Sequence, residues 1–225
     1  MREIALDTET TGLSYLAGDR IIEVGCVEMT NHVSTGNTLS FYCKVDKQIS
    51  EEAEKITGIS NAFLGDKKTF GEEHQRFLDF VKDDPLIIHN SSFDMGFINN
   101  ELSLINKGPL KNEVVDTVAL ARKVLKSRTA NLDYLCRHFD IDLSKRKLHG
   151  ALLDAELLAE VYLELRGGKQ FSMDLKNNKP EQTKTKQEPK NDAMLVKIPC
   201  LEKDLKSHKL MVKNIKDPIW SKYEY

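Results

Sequence analysis

The sequence predicts an α/β protein in which helices cover one mixed β-sheet and a flexible C-terminal tail follows. Strand-like segments come first in the chain, and shorter strands then alternate with helices, which is the order expected for such a sheet. Regular apolar spacing stops after Leu165. A chain of 225 residues is long enough for one sizeable domain with an appendage.

A three-strand antiparallel meander is predicted at the start of the chain. Residues 3–7 form a short apolar run that ends at the turn residues Thr10-Thr11-Gly12, as a buried strand does. Residues 20–29 and 38–45 alternate apolar and polar side chains and are rich in β-branched or aromatic types. These two segments are therefore predicted to be the second and third strands of the meander.

Helices and parallel strands are predicted next. Ser50 is a suitable N-cap for a helix that ends at Gly58, and residues 70–81 have helical apolar spacing. Short apolar runs predict strands at 85–89 and 114–116. The remaining segments with helical spacing are 93–105, 117–125, 132–139 and 151–165.

The tail has a polar first part and an apolar end. Residues 176–192 consist of Lys, Asn, Pro, Glu, Gln, Thr and Asp, which cannot bury enough surface to order the segment. Beyond them an amphipathic patch is formed by Leu201, Leu205, Met211 and Val212, and the only tryptophan is Trp220. Residues 169–192 are therefore predicted to be a flexible linker, and 193–225 are expected to order only on a partner.

Charge is distributed unevenly along the chain. Residues 169–225 carry 13 Lys and 8 Asp or Glu, so the tail has a net charge of +5. Because the whole chain has a net charge of −2, the body has −7. Nucleic-acid-binding proteins are usually basic, so this body fits a nucleic-acid partner only if bound cations neutralise part of its charge.

Composition excludes several classes of protein. Hydrophobic residues make up 40% and charged residues 30%, as in globular rather than disordered chains. No apolar run approaches the ~18 residues of a membrane span, and the N-terminus has no signal-peptide pattern. The four cysteines are scattered without a Cys-x-x-Cys pair, which argues against a disulfide framework or structural zinc. We expect a cytoplasmic protein.

Acidic side chains recur where predicted strands end. Asp7 and Glu9 are two apart on a strand, so both project from one face, where they repel each other unless a proton or cation intervenes. Asp94 lies in the first turn of a predicted helix, where a carboxylate also serves as a cap. His149 and Asp154 are five apart, roughly 140° on one helix, and Gly150 would let His149 bend over Asp154 from the preceding loop.

Three motifs together resemble those of the DEDD exonucleases that have a histidine in the third motif. They are Asp7-Thr8-Glu9-Thr10-Thr11-Gly12, His89-Asn90-x-x-Phe93-Asp94 and His149-Gly150-Ala151-x-x-Asp154. Residues 2–168 resemble in particular the proofreading epsilon subunits of bacterial DNA polymerase III, with further matches at Asp116-Thr117, Asn131-Leu132-Asp133 and Ala159-Glu160-Val161-Tyr162. The resemblance implies a ribonuclease H-like exonuclease domain at 1–168 that removes mispaired nucleotides from DNA 3' ends.

The resemblance also implies a metal site with two divalent cations, Mg²⁺ or Mn²⁺. Asp7, Glu9 and Asp154 would bind the metals directly, and Asp94 would support the second ion directly or through waters. His149 would accept a proton from the attacking water, since a histidine ordinarily titrates near ~6.5.

Contacts to the DNA are expected from Asp7, Glu9 and Asp154, and from a second set of residues: Glu52, Thr57, His89 and Asn90. The family usually has a histidine in place of Thr57, at a position expected to contact the terminal nucleotide. Phosphates could also be contacted by basic side chains, namely Lys123, Lys126, Arg128, Lys145, Arg146 and Lys147.

The tail resembles two partner-binding segments. Residues 170–175 look like a sliding-clamp-binding peptide, with contacts expected from Gln170, Ser172, Met173 and Leu175. Residues 193–225 resemble the segment that docks on the polymerase catalytic subunit. The resemblance also allows a small stabilising subunit, and no membrane partner is expected.

Two alternatives share some of these features. A 3'-5' exoribonuclease of the same superfamily would use the same carboxylates, which contact phosphates and not sugars, but it would not need the docking segments. A catalytically inactive adaptor between polymerase and clamp would need the tail, but it would not need the complete acidic set.

Overall fold

The computed structural model describes residues 1–144, 146, 148–168 and 202–214. Its contacts divide the chain into two units, Met1–Asp174 and Leu175–Tyr225. The first unit contains five strands and seven α-helices among its described residues. In the second unit the described residues form one helix, Glu202–Lys213.

The sheet has the mixed topology that the sequence predicts. Its strands are β1 (Arg2–Thr10), β2 (Ile21–Thr30), β3 (Val33–Tyr42), β4 (Leu86–Ile88) and β5 (Val114–Asp116). Their order across the sheet is β3-β2-β1-β4-β5. The pairs β1–β2 and β2–β3 are antiparallel, whereas β1–β4 and β4–β5 are parallel. β1 is therefore central, and its C-terminal end lies beside that of β4.

Seven helices cover the sheet in the first unit. They are α1 (Glu51–Thr57), α2 (Asn61–Leu64), α3 (Phe70–Val81), α4 (Ser91–Leu104), α5 (Thr117–Leu125), α6 (Leu132–His138) and α7 (Ala151–Leu165). The tail helix is α8 (Glu202–Lys213). A single 3₁₀ turn, Tyr15–Ala17, lies between β1 and β2 in this part of the chain. None of the described helices is long and apolar enough to cross a membrane.

Alternation along β1 divides the core between the two faces of the sheet. Ile4 and Leu6 pack with apolar residues of α3 and α4 on one face. Ala5 packs with residues of α5, α6 and α7 on the other. Because side chains alternate, Asp7 and Glu9 continue the face of Ala5 that α7 covers.

Helix α7 lies unusually close to β2, and Gly25 permits this approach. A Cβ atom at Gly25 would lie 2.2 Å from the backbone carbon of Ala151. The first turn of α7 could not keep this position against any larger residue. Gly25 thus allows the first turn of α7 to pack directly against β2, the neighbour of β1.

The structure corrects the bounds of several predicted elements. β3 runs from Val33 to Tyr42 instead of 38–45, because a tight turn with positive φ at Asn31 and His32 pairs Val33 with Thr30 of β2. The first six residues of this edge strand are exposed, so they lack the apolar alternation that marks a strand in the sequence.

Two helices also differ from the prediction. α4 begins at Ser91 and not at 93, after Asn90 in the left-handed region. α2 was not predicted, since four residues are too few to show a helical period. The predicted cap at Ser50 is confirmed, as its side chain accepts a hydrogen bond from the Ala53 amide.

Candidate active site

The first two acids lie at the C-terminal end of β1. Asp7 and Glu9 are half-buried on the face that α7 covers, as their spacing predicts. Thr8 points to the other face and is buried there. Its hydroxyl donates a 2.7 Å hydrogen bond to Oδ1 of Asp94. β1 therefore supplies two carboxylates and fixes a third.

Asp94 enters the site from the first turn of α4. This helix starts directly after β4, which pairs in parallel with β1, so Asp94 lies at the same edge of the sheet as Asp7. Its side chain is buried, with 3% of the residue exposed. Buried carboxylates need partners, and within the described chain Thr8 supplies one of them.

Asp154 and His149 belong to α7 and the loop before it. Asp154 is buried in the first turn, and its Oδ2 lies 3.3 Å from Nδ1 of His149. The loop position of His149 agrees with the prediction, but the assumed role of Gly150 was wrong, because its φ of −153° is accessible to any residue. The loop is instead held where the His149 amide donates to the carbonyl of Ile56 at 3.0 Å.

The N-terminus of α7 is capped by a strand residue. Gly150, the N-cap, has no side chain to accept a hydrogen bond. Oε2 of Glu23 on β2 accepts one from the Ala151 amide at 3.0 Å. A carboxylate at a helix N-terminus is favoured both by the free amides and by the helix dipole. Glu23 therefore helps to fix the turn that carries Asp154.

Arg146 is the buried cation of the site. Its Nε and Nη2 donate to the two oxygens of Asp154 at 2.6 and 2.8 Å, and its Nη1 pairs with Asp133. Only 9% of the side chain is exposed. In this structure the guanidinium of Arg146 faces carboxylates, so the phosphate contact expected of it stays a prediction. Asp133, in the first turn of α6, has no role predicted from the sequence.

These residues line one cleft with a volume of about 440 Å³. The structure brings together all five residues expected to carry the chemistry: Asp7, Glu9, Asp94, His149 and Asp154. His89 and Phe93 lie in the same lining. Nδ1 of His89 is 2.9 Å from the hydroxyl of Thr117, and burial lowers its pKa. His89 is therefore placed to meet a ligand as a neutral side chain.

Other expected contact residues lie outside that lining. Glu52 is exposed on α1, and Asn90 is exposed at the N-cap of α4. The hydroxyl of Thr57 donates to the carbonyl of Ala53 at 2.8 Å, so it caps its own helix. Their contacts to DNA stay predictions. Several further predictions fall outside the described residues: Lys145, Lys147 and the clamp-peptide residues Gln170, Ser172, Met173 and Leu175.

Burial is the main cause of the perturbed acidity in the cleft. It raises the pKa of Asp7 well above the usual 3.8, with further contributions from the charges of Asp94, Glu9 and Asp154. Burial and then the charge of Asp154 raise the pKa of Glu9 to about 8. The pKa of Asp94 rises to about 7 through burial, although the hydrogen bond from Thr8 opposes this. Ionised together, the acids favour any cation that can lie between them.

The donor set fits a hard divalent cation. Carboxylate oxygens are the ligands that Mg²⁺ and Mn²⁺ prefer. One ligand atom each from Glu9, His149 and Asp154 lie within 4.8 Å of one another. Cys26, Cys43 and Cys136 are buried and unpaired, and no cysteine of the described residues lines the cleft.

The raised pKa values predict a pH-dependent stability. An acid with a raised folded-state pKa stabilises the fold fully below its unfolded value, near 4.5 for Glu9, and this contribution is lost as the pH rises through about 8. In EDTA, we expect the melting temperature of the wild type to fall more between pH 5 and 8.5 than that of Glu9→Gln. If calorimetry gave the two proteins parallel profiles of melting temperature against pH, the raised pKa of Glu9 would be contradicted. At pH 8.5, Mg²⁺ should restore the melting temperature of the wild type.

Comparisons with known proteins agree with this site. The exonuclease family RNase_T matches residues 4–162. The DNA polymerase III epsilon subunit of Rickettsia felis is 42% identical over 222 residues, covering 96% of this chain and 97% of the relative. The epsilon subunit of Escherichia coli K12 is 46% identical over 175 residues, covering 74% of this chain and 72% of the relative.

Solved structures share the fold. Exonuclease X in complex with 5' overhanging duplex DNA superposes with a TM-score of 0.58 at 22% identity, covering 72% of this chain and 90% of that one. E. coli exonuclease I in complex with a dA16 oligonucleotide gives 0.63 at 20% identity, covering 74% and 41%. The ribonuclease H-like fold is therefore confirmed.

The fold and the sequence match define the class of this protein as a divalent-metal-dependent exonuclease. Within that class, the chain belongs to the family of DNA polymerase III epsilon subunits. It is a 3'-5' proofreading exonuclease. The relatives favour this function over the exoribonuclease and the inactive adaptor.

Proposed function

We propose that the acidic cleft holds two divalent cations, Mg²⁺ or Mn²⁺, and hydrolyses the last phosphodiester at a DNA 3' end. The observation that carries this proposal is the convergence of four buried or half-buried carboxylates from three distant parts of the chain. Asp7, Glu9 and Asp154 would bind the cations directly, and Asp94 would support the second one. When bound, the ions stabilise charge on the attacking and leaving oxygens of an in-line displacement.

His149 is proposed as the general base. Its side chain is 46% exposed, so a water at the cleft can reach it. Nδ1 faces Asp154 at 3.3 Å, and a hydrogen bond donated by Nδ1 to that carboxylate would leave Nε2 as the atom that accepts the proton. A carboxylate behind the ring stabilises the imidazolium that forms. The products would be a nucleoside 5'-monophosphate and a DNA chain shortened by one nucleotide.

Substrate binding is proposed for residues at the rim as well as for the acids. His89 lines the cleft directly, and Asn90 follows it at the start of α4. Glu52 and Thr57 lie on α1, whose end is hydrogen-bonded to the loop of His149 through the Ile56 carbonyl. These residues are proposed to contact the terminal nucleotide together with the acids.

The tail is proposed to hold the exonuclease beside the polymerase in the cytoplasm. Residues 1–168 would be the catalytic domain, 169–192 a linker with a clamp-binding peptide at 170–175, and 193–225 the polymerase-docking segment. Leu210 and Met211 on α8 are 65% and 53% exposed, which gives a docking partner apolar surface to bury. A small stabilising subunit is a further proposed partner.

A direct assay tests the function. Purified full-length protein should shorten 3'-mismatched DNA from its 3' end with Mg²⁺ or Mn²⁺, should do so faster than on matched RNA, and should stop in EDTA. Product analysis should show nucleoside 5'-monophosphates. Equal rates on RNA would favour the exoribonuclease, and undiminished rates in EDTA would contradict the metal site.

Deletion of residues 193–225 tests the role of the tail. We expect hydrolysis of free oligonucleotides to remain within about twofold of the wild type, because the cleft lies in the first unit. Co-purification with the polymerase catalytic subunit should be lost, since the tethering segment is absent. Deletion of 170–175 is the matched control, which should weaken clamp binding alone. Retained polymerase binding by the first variant would contradict the assignment of the tail.

A further inference from the structure

Arg146 forms the most extensive set of contacts in the cleft. Its guanidinium engages both oxygens of Asp154, at 2.6 and 2.8 Å, and pairs with Asp133 on α6. Nη2 also lies 3.0 Å from Nδ1 of His149. The guanidinium thus connects the third-motif carboxylate and the proposed base in one hydrogen-bonded group.

The charge of this guanidinium also acts on two acids of β1. It opposes the rise in the pKa values of Asp7 and Glu9 that burial and like charges cause. Arg146 therefore already provides, from within the protein, part of the positive charge that the clustered acids require. Lys123, Lys126 and Arg128 do not line this cleft.

The paired geometry conflicts with metal coordination. A guanidinium that donates to both oxygens of a carboxylate occupies the position in which a cation would be bound bidentately by the same two oxygens. Two divalent cations on the same acids would also place like charge within a few ångströms of the guanidinium. Asp154 is only 5% exposed, so solvent would screen this repulsion poorly.

We propose that Arg146 is an internal counterion that competes with divalent cations for Asp154 and is displaced from it when they bind. This inference rests on the proposed metal site. The displaced arginine remains on the loop beside His149, at the mouth of the cleft, where a phosphate can receive it. Arg146 is thus a positioning residue that links metal loading to the arrangement of the loop.

Displacement would also prepare the proposed base. Arginine has only hydrogen-bond donors, so Nδ1 of His149 acts as the acceptor while Nη2 contacts it. A neutral ring with an accepting Nδ1 carries its hydrogen on Nε2, which then cannot take a proton. Once Arg146 leaves, Nδ1 can donate to Oδ2 of Asp154, 3.3 Å away, and Nε2 becomes the acceptor.

Metal binding without substrate tests the competition. Free Mn²⁺ would be measured by electron paramagnetic resonance with the full-length wild type, Arg146→Gln and Arg137→Gln. Arg137 is the matched control, because it lines the same cleft and approaches Asp133, at 3.8 Å, but is 73% exposed and forms no ion pair with Asp154 among the described residues. We expect Arg146→Gln to bind Mn²⁺ about tenfold more tightly, as removal of a charged competitor allows, and Arg137→Gln to match the wild type.

A second measurement uses the wild type alone, in case Arg146→Gln does not fold. The Nε–H resonance of Arg146 should be visible by ¹H–¹⁵N NMR, because its donor is paired with Asp154. Titration with Mg²⁺ should shift or remove this resonance in step with saturation. The proposed competition would be refuted if this resonance did not move at saturation. It would also be refuted if Arg146→Gln bound Mn²⁺ no more tightly than the wild type. Absence of Mn²⁺ binding by the wild type would instead refute the metal site itself.

Discussion

Asp7→Asn is expected to abolish catalysis and to stabilise the protein at the same time. Turnover on 3'-mismatched DNA should fall at least about 10³-fold, because loss of a metal ligand removes several kcal/mol of charge stabilisation. Burial and neighbouring charges hold the pKa of the half-buried Asp7 carboxyl well above its usual 3.8, so ionisation of this group costs folding free energy once the pH exceeds 3.8. The neutral amide removes this cost. The melting temperature in EDTA at pH 8 should therefore rise by about 2–4 °C, the shift that corresponds to ~1 kcal/mol of unfolding free energy in a chain of this size.

The opposite signs of these two effects separate a functional acid from a structural one. The matched control is Asp83→Asn, an exposed acid that follows α3 and lies outside the cleft. It should change neither turnover nor melting temperature measurably. Asp154→Ala would be a poorer test, because it would leave the guanidinium of Arg146 without its main partner. Near-native turnover of Asp7→Asn in Mg²⁺ would show that the metal site lies elsewhere.

Much of the fold follows from short-range sequence patterns. The bounds of α3 and α7 match the predicted helices at 70–81 and 151–165, because both helices bury an apolar face against the sheet. The convergence of Asp7 and Asp94 could also be predicted, since the C-terminal ends of parallel strands meet at one edge. Local apolar periodicity thus suffices to predict the helices that bury a regular face against the sheet.

Contacts between distant segments could not be predicted in this way. Glu23 caps α7 across 128 residues of sequence, and nothing near either residue in the chain indicates the pair. Arg146 lies in a basic run that is typical of a phosphate-binding surface, but the acids beside it in the fold outweigh that local pattern. The exposed start of β3 could not be predicted for the same reason, because this part of the strand is formed by pairing with β2 and not by burial.

His149→Ala is expected to lower turnover by the ~10²–10⁴-fold that loss of a general base typically causes. The side chain is half-exposed at the mouth of the cleft, so its removal should leave the fold intact. Mn²⁺ affinity should stay within about threefold of the wild type if His149 acts only on the attacking water. The acidic limb of the pH–rate profile should change as well, because the group that accepts the proton is absent.

The metal measurement decides between two roles for His149. Because one nitrogen of this ring lies within 4.8 Å of ligand atoms of Glu9 and Asp154, the histidine could also coordinate a cation. A ligand role predicts a loss of Mn²⁺ affinity together with activity, whereas a base predicts that activity falls alone. His138→Ala, an exposed histidine at the end of α6, is the matched control and should preserve both. If His149→Ala kept the acidic limb of the wild type, proton transfer would have to be assigned to another group.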